Sequence, residues 1–401
     1  MSKPQKICVF FSTMYPYETT LKEEFKVMSD KFDIIYYFPT HISEKQPELP
    51  ENVKLIDKLA NIKPNVSITN IIGLSFKFIT LSLNENNKLK YIYNWKTYMS
   101  ILALNIEYSK RLEKFIHDKQ LYSAFFYDYW MENATLGLCL LKRKKIIKKL
   151  HCRAHGFDVY DNRWKSGVLP FRNFKVKYLT QIHFISKHGL NYTKNKVKAI
   201  YFNKFTIDYL GVNTEIQKKN NLTETNKKEK MILSVSNTQE FKRVHWIPDL
   251  LIDLPYKIKW IHFGKGPCDK SIKHKIKNLP ENITVQLMGH CPNSEIFKFY
   301  QDNDIDLFAS LSTNEGIPIS MMEAMSFGVP VFSAAVNGIP ELVKKDCGLL
   351  FEKNSSLIEI KNCLDIVLNR KFSKSFIKNH AINNFDIKKN LNDFYAKILD
   401  T

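Results

Sequence analysis

Apolar residues in this chain fall into short continuous runs separated by longer stretches of helical spacing. In the N-terminal half the runs predict strands over 7–12, 33–38, 124–129, 149–154 and 182–186. Helical patterns lie between them, including a long one over about 89–117. Such alternation implies a parallel sheet covered on both faces. Gln-Lys-Lys-Asn-Asn-Leu-Thr-Glu-Thr-Asn-Lys-Lys-Glu-Lys, over 217–230, has little to bury and reads as a linker. A second series of strands follows over 231–235, 257–263, 284–288, 305–309 and 330–334, and the tail from Ser355 is helical by periodicity. The expected class is α/β, with two Rossmann-like domains facing each other across a cleft: 1–216, and 231–370 after the linker. Residues 371–401 form closing helices. No short internal repeat is visible.

The segment from Asn314 to Pro340 carries the most chemistry. Ile305-Asp306-Leu307-Phe308-Ala309-Ser310 reads as a buried strand, and 313–316 as the loop at its carboxyl end. Pro318 suits the first position of a helix, where its missing N–H would be unpaired anyway. Gly328 suits the helix stop, and Pro330 opens another apolar run. In an open α/β sheet, loops at the carboxyl ends of strands are where ligands bind. The amides of Gly316, Ile317 and Ile319 would face a ligand there, with the positive end of the helix dipole behind them. Glu315 and Glu323 bracket the helix start, roughly 12 Å apart at most for eight helical steps. That is about the length of a nucleotide sugar, whose hydroxyls suit carboxylates and whose diphosphate suits the amides. The plainer alternative is a first-turn Glu323 serving the dipole and an exposed loop acid at 315.

Size and composition narrow the class. A chain of 401 residues with 44% hydrophobic content is long enough for two cores. No apolar run has the length to span a bilayer. The start, Met1-Ser-Lys-Pro-Gln-Lys6, leads straight into the first strand and reads as β structure rather than a signal peptide. Seven scattered cysteines without a Cys-X-X-Cys pair argue for a reducing compartment and against a zinc site or disulfide frame. The formal charge of +20 calls for an anionic partner: lipid, a polyanionic acceptor or nucleic acid. Nucleic acid is the weakest of these, since no recognised binding module is present. Lys142-Arg-Lys-Lys145 with Lys148 and Lys149 closes a helix expected from about Glu132, as either an anion-binding patch or a solvated helix end. Ile71-Ile-Gly-Leu-Ser-Phe-Lys-Phe-Ile-Thr-Leu is both apolar and basic. A helix buried in the first domain is its preferred reading, and a membrane-interface segment the other.

Glu315-Gly-Ile-Pro-Ile-Ser-Met-Met-Glu323-Ala-Met-Ser-Phe-Gly-Val-Pro-Val, followed by Asn337-Gly-Ile-Pro-Glu341, resembles the donor-site signature of retaining GT-B glycosyltransferases of family 4. Met231 to Asn237 with Lys242-Arg243-Val-His resembles the opening strand and phosphate loop of that family's C-terminal domain. Trp260 to Pro267, Met288-Gly-His290 with Pro292-Asn-Ser-Glu295, and Asp346-Cys-Gly-Leu-Leu-Phe351 resemble its later units. In the first half, Met14-Tyr-Pro-Tyr17, Tyr127-Asp-Tyr-Trp130 and Arg153-Ala-His155-Gly-Phe-Asp158-Val-Tyr160 resemble members that build bacterial surface polysaccharides. The set is in the family's order and covers nearly the whole chain.

The resemblance implies roles. Glu323 would bind ribose hydroxyls and Glu315 the transferred sugar. Lys242, with Arg243, would bind the diphosphate and ease its departure, and the backbone of Gly316, Ile317, Pro318 and Ile319 would hold sugar and phosphate. His155 would sit across the cleft near the sugar and acceptor, with Arg153, Asp158 and Tyr17 as further acceptor-side candidates in an acceptor-binding first domain. The closing helices would cross back onto that domain. No metal or other cofactor is implied. Asn237 stands where many members carry Arg, and the loop Tyr15-Pro-Tyr-Glu-Thr-Thr20 lacks the glycines usual there. Read by its residues alone, His155 lies at a strand's carboxyl end beside Arg153 and Asp158, which favours function over structure. His245, His262 and His290 read as structural or peripheral.

The expected activity is transfer of a hexosyl unit, with retention, from a nucleotide sugar to a lipid-linked oligosaccharide. The product would be a bacterial capsule, O-antigen or exopolysaccharide. The enzyme is expected to be cytoplasmic, held at the anionic inner leaflet of the membrane, and not to bind nucleic acid. Two alternatives stand beside it: a nucleotide-sugar hydrolysing epimerase of the same fold, and a degenerate, non-catalytic carbohydrate-binding protein.

Overall fold

The continuous apolar runs become the strands of two parallel sheets in the computed structural model. It describes residues 5–15, 19–42, 48–64, 68–83, 85–132, 134–215 and 229–399. The chain divides into two units, Met1–Tyr209 with Leu391–Thr401, and Leu210–Asn390. In the first, β1 (Ile7–Tyr15), β2 (Ile34–Ile42), β3 (Val53–Leu55), β4 (Phe125–Asp128), β5 (Leu150–Ala154), β6 (Gln181–Phe184) and β7 (Phe205–Ile207) lie in the order β3-β2-β1-β4-β5-β6-β7. Cys8, Val9, Phe10 and Phe11 of β1 are fully buried, as a central strand covered on both faces requires.

The second unit holds β8 (Glu229–Val235), β9 (Lys257–Phe263), β10 (Ile283–Gly289), β11 (Leu307–Ser310), β12 (Val331–Ala334) and β13 (Gly348–Phe351). Their order is β10-β9-β8-β11-β12-β13, again all parallel. The expected linker lies outside the described residues, except for Glu229 and Lys230, which open β8.

Helix Lys374–Phe385 belongs to the second unit, where it packs against helix Ile319–Ser326. The last helix, Ile387–Leu399, passes from the second unit into the first at Leu391. There Tyr395 donates its hydroxyl to Glu24 (2.8 Å), Phe394 packs on Tyr127, and Lys397 pairs with Asp208 (2.9 Å).

Two expectations are corrected. The long helix over 89–117 is two helices, Lys88–Tyr93 and Trp95–Asp118, broken at Asn94. The Asn94 side chain donates to the carbonyl of Lys90 (2.9 Å), a local bond that competes with helix continuation. The apolar–basic stretch over 71–83 is not a buried helix. Helix Ile68–Ser82 packs on helix Trp95–Asp118 through a narrow stripe that includes Leu74 and Leu81. Ile72 (81% exposed), Phe76 (74%), Ile79 and Leu83 face outwards, because no further layer covers that side among the described residues. Leu89, Ile92 and Tyr93 (84%) continue the exposed apolar surface. No described helix is long and apolar enough to cross a membrane.

Candidate functional site

The second sheet reverses its strand order between β8 and β11, and ligands of open α/β sheets bind at such a switch point. The loop after β8 folds into two short 3-10 turns, Glu240–Lys242 and Val244–Trp246. Arg243 joins them with φ +51°, a left-handed backbone that ends one turn and starts the other. The loop after β11 runs from Leu311 to Pro318. Thr313 ties the two loops together, donating both its amide (2.8 Å) and its hydroxyl (3.2 Å) to the carbonyl of Phe241. Lys242 and Glu315, predicted to share a ligand, thereby meet directly, Nζ against Oε1. Glu315 is buried and Lys242 only partly exposed.

A third loop, after β12, braces this arrangement. Asn337, at φ +47°, donates its side-chain amide to the carbonyl of Glu315 (2.7 Å), and the amide of Gly338 donates to the carbonyl of Gly316 (3.1 Å). With these carbonyls engaged from behind, the N–H groups of Gly316 and Ile317 donate to no other group among the described residues. Helix Ile319–Ser326 starts one residue later than predicted, so Pro318 is its extended cap (φ −74°, ψ 123°) rather than its first residue. Its other end matches expectation. Gly328 takes φ +77°, its amide donates to Met325 O (2.9 Å), and Val329 N–H reaches back to Ala324 O (3.1 Å).

Glu323 lies within that helix, buried, and accepts a hydrogen bond from the Asn293 side chain (3.0 Å). Burial pushes its carboxyl up to about 7, with only the Asn293 bond opposing. Arg243 turns elsewhere: its guanidinium stacks on Trp246 (4.2 Å) and donates to the carbonyl of Lys353 (3.2 Å), just beyond β13. Asn237 is exposed at the end of β8. The carbonyl of its neighbour Ser236 lies against Gly264 so closely that a Cβ there would stand 1.8 Å away.

In the first unit, His155 follows β5. Its ring stacks on Trp130 (4.0 Å between centroids), and Nε2 lies 2.9 Å from the carbonyl of Tyr129. A carbonyl only accepts, so Nε2 carries the proton and Nδ1 keeps its lone pair. Burial, followed by the charge of Arg153, lowers the imidazole to about 3, so it is neutral at physiological pH. Asp158 accepts backbone hydrogen bonds from His155 and from Met131 (2.7 Å), clasping the loops after β5 and β4 together. Arg153 is wholly buried, paired with Glu24 (2.6 Å) and ringed by Tyr127, Tyr129 and Phe394. Its guanidinium fastens β5 to helix Thr19–Lys31 and to the terminal helix. Tyr17 lies outside the described residues.

Residues 214–382 match the family of glycosyl transferases group 1. Among curated relatives, WcaL of Escherichia coli (strain K12), named for colanic acid biosynthesis, is 31% identical over 133 residues, 31% of this chain and 33% of its own length. The alignment therefore spans about a third of that relative. Solved structures extend the likeness over both units. The apo lipopolysaccharide outer core galactosyltransferase WaaB superposes with TM-score 0.69 at 15% identity, covering 98% of this chain and 99% of its own. HepE of Anabaena, solved with UDP-glucose, gives 0.66 at 13%, covering 98% and 100%. These likenesses establish the GT-B fold.

The matched region contains Lys242, Glu315 and Glu323. Two braces had no role assigned from sequence. Asn293 and Asn337 both fall within motifs that carry the family resemblance, yet their side-chain contacts depend on loops far apart in the chain. Glu24 and Trp130 gave no signal of their partnership with Arg153 and His155.

Proposed function

We propose that this chain is a group 1 glycosyltransferase that moves a hexosyl unit, with retention and without a metal ion, from a nucleotide sugar to a lipid-linked oligosaccharide of a bacterial surface polysaccharide. The observation that carries the reading is the Lys242–Glu315 pair beside the undonated amides of Gly316 and Ile317 at a sheet switch point. An entering diphosphate replaces Glu315 as the partner of Lys242. Glu315 is then free to accept hydrogen bonds from sugar hydroxyls, and Glu323, held by Asn293, from the ribose. As the glycosidic bond breaks, negative charge builds on the leaving diphosphate. An ammonium and two fixed amides stabilise that charge more than they stabilise the bound donor. The acceptor hydroxyl enters on the leaving-group face, its proton passing to a phosphate oxygen. Neutral His155 with its free Nδ1 serves the acceptor side, and Asp158 and Arg153 hold it in place.

A nucleotide-sugar donor is supported by the UDP-glucose held by HepE, and a surface polysaccharide by the name of WcaL. The exposed apolar surface of residues 72–93, with Lys77, Lys88 and Lys90 interspersed, supports peripheral attachment to an anionic inner leaflet from the cytoplasmic side.

The test has two parts. A thermal-shift screen against nucleotide sugars identifies the donor, since a ligand that binds only the native state raises its melting point. Transfer is then measured with Lys242→Ala and Glu315→Ala, each expected to lose at least about a hundredfold in kcat, in line with removal of a preorganised charge-stabilising group. Near-normal turnover in both would refute the assignment. Release of free sugar without acceptor would mark a hydrolysing epimerase, and donor binding without turnover a non-catalytic binder.

A further inference from the structure

The loop that carries Lys242 also carries a second cluster that the transfer reaction does not use. Glu240, His245 and Cys268 bring one carboxylate oxygen, one imidazole nitrogen and one sulfur to within 4.8 Å of one another. His245 Nε2 lies 3.3 Å from Glu240 Oε1, and Cys268 Sγ lies 3.3 Å from Glu240 Oε2. The His245 ring is buried and its Nδ1 makes no hydrogen bond among the described residues, so Nε2 is its one engaged atom.

Two glycines make this convergence possible. Gly264, at φ +133°, lets the loop after β9 lie directly on the carbonyl of Ser236, and Gly266 lies against Thr238 where a Cβ would come within 3.0 Å of the hydroxyl. The amide of Cys268 then donates to the carbonyl of Thr238 (3.0 Å), which fixes Cys268 over the Glu240 turn. The rigid partner is His245, the adjustable one the exposed Glu240.

We infer that Glu240, His245 and Cys268 form a binding site for a borderline divalent transition-metal cation of the Zn²⁺ or Co²⁺ class. Ligand atoms at the corners of a tetrahedral Zn²⁺ site stand roughly 3.3–3.8 Å apart, as bonds of about 2.0–2.3 Å require. Glu240 already offers one oxygen to each of its partners at that distance, and the remaining edge, His245 to Cys268, lies within 4.8 Å and closes by rotation of the Cys268 side chain. A thiolate with an imidazole selects such cations over Mg²⁺ and Ca²⁺, which take oxygen ligands. Three protein ligands leave the fourth position to water. The cation's place is regulatory: Glu240 and Lys242 share one 3-10 turn, so fixing the first restricts the reach of the second. The site is separate from the sugar chemistry and stands whichever donor is used.

The test uses the full-length protein, stripped with chelator and kept reduced with a phosphine. Co²⁺ is added and the near-ultraviolet thiolate-to-cobalt band and visible tetrahedral bands are recorded. Wild type is expected to show both at one equivalent, bleached by Zn²⁺. Zn²⁺ at a hundredfold excess over its dissociation constant should raise the melting temperature by roughly 5 °C. Cys268→Ser and His245→Ala, each first shown to melt cooperatively without metal, should lose the thiolate band and the Zn²⁺ shift. Absence of the bands in wild type overturns the inference, as does their persistence in either variant, which would place the cation on other cysteines.

Discussion

Lys242 and Glu315 neutralise each other in the structure, and that single contact explains why neither could be assigned a partner from sequence alone. The family resemblance makes both candidate donor-site groups. Their pairing depends on two loops 73 residues apart meeting at the sheet's switch point. The same holds for Arg153, which reads as a functional cation beside His155 but whose partner, Glu24, stands 129 residues away. Charged residues advertise themselves in a sequence, whereas the partner that consumes the charge does not. Glu323 carries a consequence for pH. Its folded-state carboxyl lies near 7 against an ordinary value of 4.5, so between those values the native state holds a proton that the unfolded chain has released. Stability from this group therefore falls as pH rises from about 4.5 to about 7 and is level above that, a loss of up to about 3 kcal/mol. Glu323→Gln keeps an acceptor for Asn293 without the charge. Melting curves should show the variant close to wild type at pH 4.5 and more stable than wild type at pH 8. Parallel pH dependence in the two proteins would show that Glu323 ionises freely when folded.

At the level of elements, strands were the most legible feature, because a parallel strand covered on both faces is written as an unbroken apolar run. The strand predicted over 257–263 has the observed bounds of β9, and most others differ by a residue or two at an end. The stop at Gly328 was legible for a physical reason too, since a φ > 0 residue at a helix end lets its own amide and the next one turn back. Helices covered on one side were harder. The apolar periodicity of helix Ile68–Ser82 looks the same whether its outer face meets protein or something else. Gly73 in that helix and Gly264 after β9 separate two uses of glycine. A Cβ at Gly73 meets nothing within 4 Å, whereas one at Gly264 would collide with the Ser236 carbonyl. Gly73→Ala should raise stability by about 0.5–1 kcal/mol, the usual gain for a helix interior. Gly264→Ala should cost about 3 kcal/mol or more and weaken nucleotide binding, because the loop that presents Lys242 must shift. Denaturant midpoints and calorimetry with the identified donor check both. A neutral Gly264→Ala would mean that the two loops have room to part.

On the scale of the whole molecule, the proposed attachment to an anionic lipid surface draws on both the formal charge of +20 and the apolar surface left exposed among the described residues. Net charge alone could not separate lipid from a polyanionic acceptor. The exposed side chains favour the lipid in that proposal, because a soluble polyanion gives Ile72, Phe76, Ile79, Leu89 and Ile92 nothing to bury against. The apolar residues contribute through area removed from water, at about 25 cal/mol per Å². The interspersed lysines contribute about 1 kcal/mol each near an anionic surface, an amount that salt screens within a Debye length. The two contributions are therefore separable in one vesicle-flotation experiment. Wild type should float with anionic vesicles at low salt, less with neutral ones, and retain some binding to both at high salt. Phe76→Ser with Ile79→Ser, both on the outer face of helix Ile68–Ser82, should lose the salt-resistant fraction and leave the melting temperature unchanged. Lys77→Glu with Lys90→Glu should lose the difference between anionic and neutral vesicles. Equal recovery of wild type with neutral and anionic vesicles would remove the electrostatic contribution. Unchanged flotation of the serine variant would move the attachment away from this helix altogether.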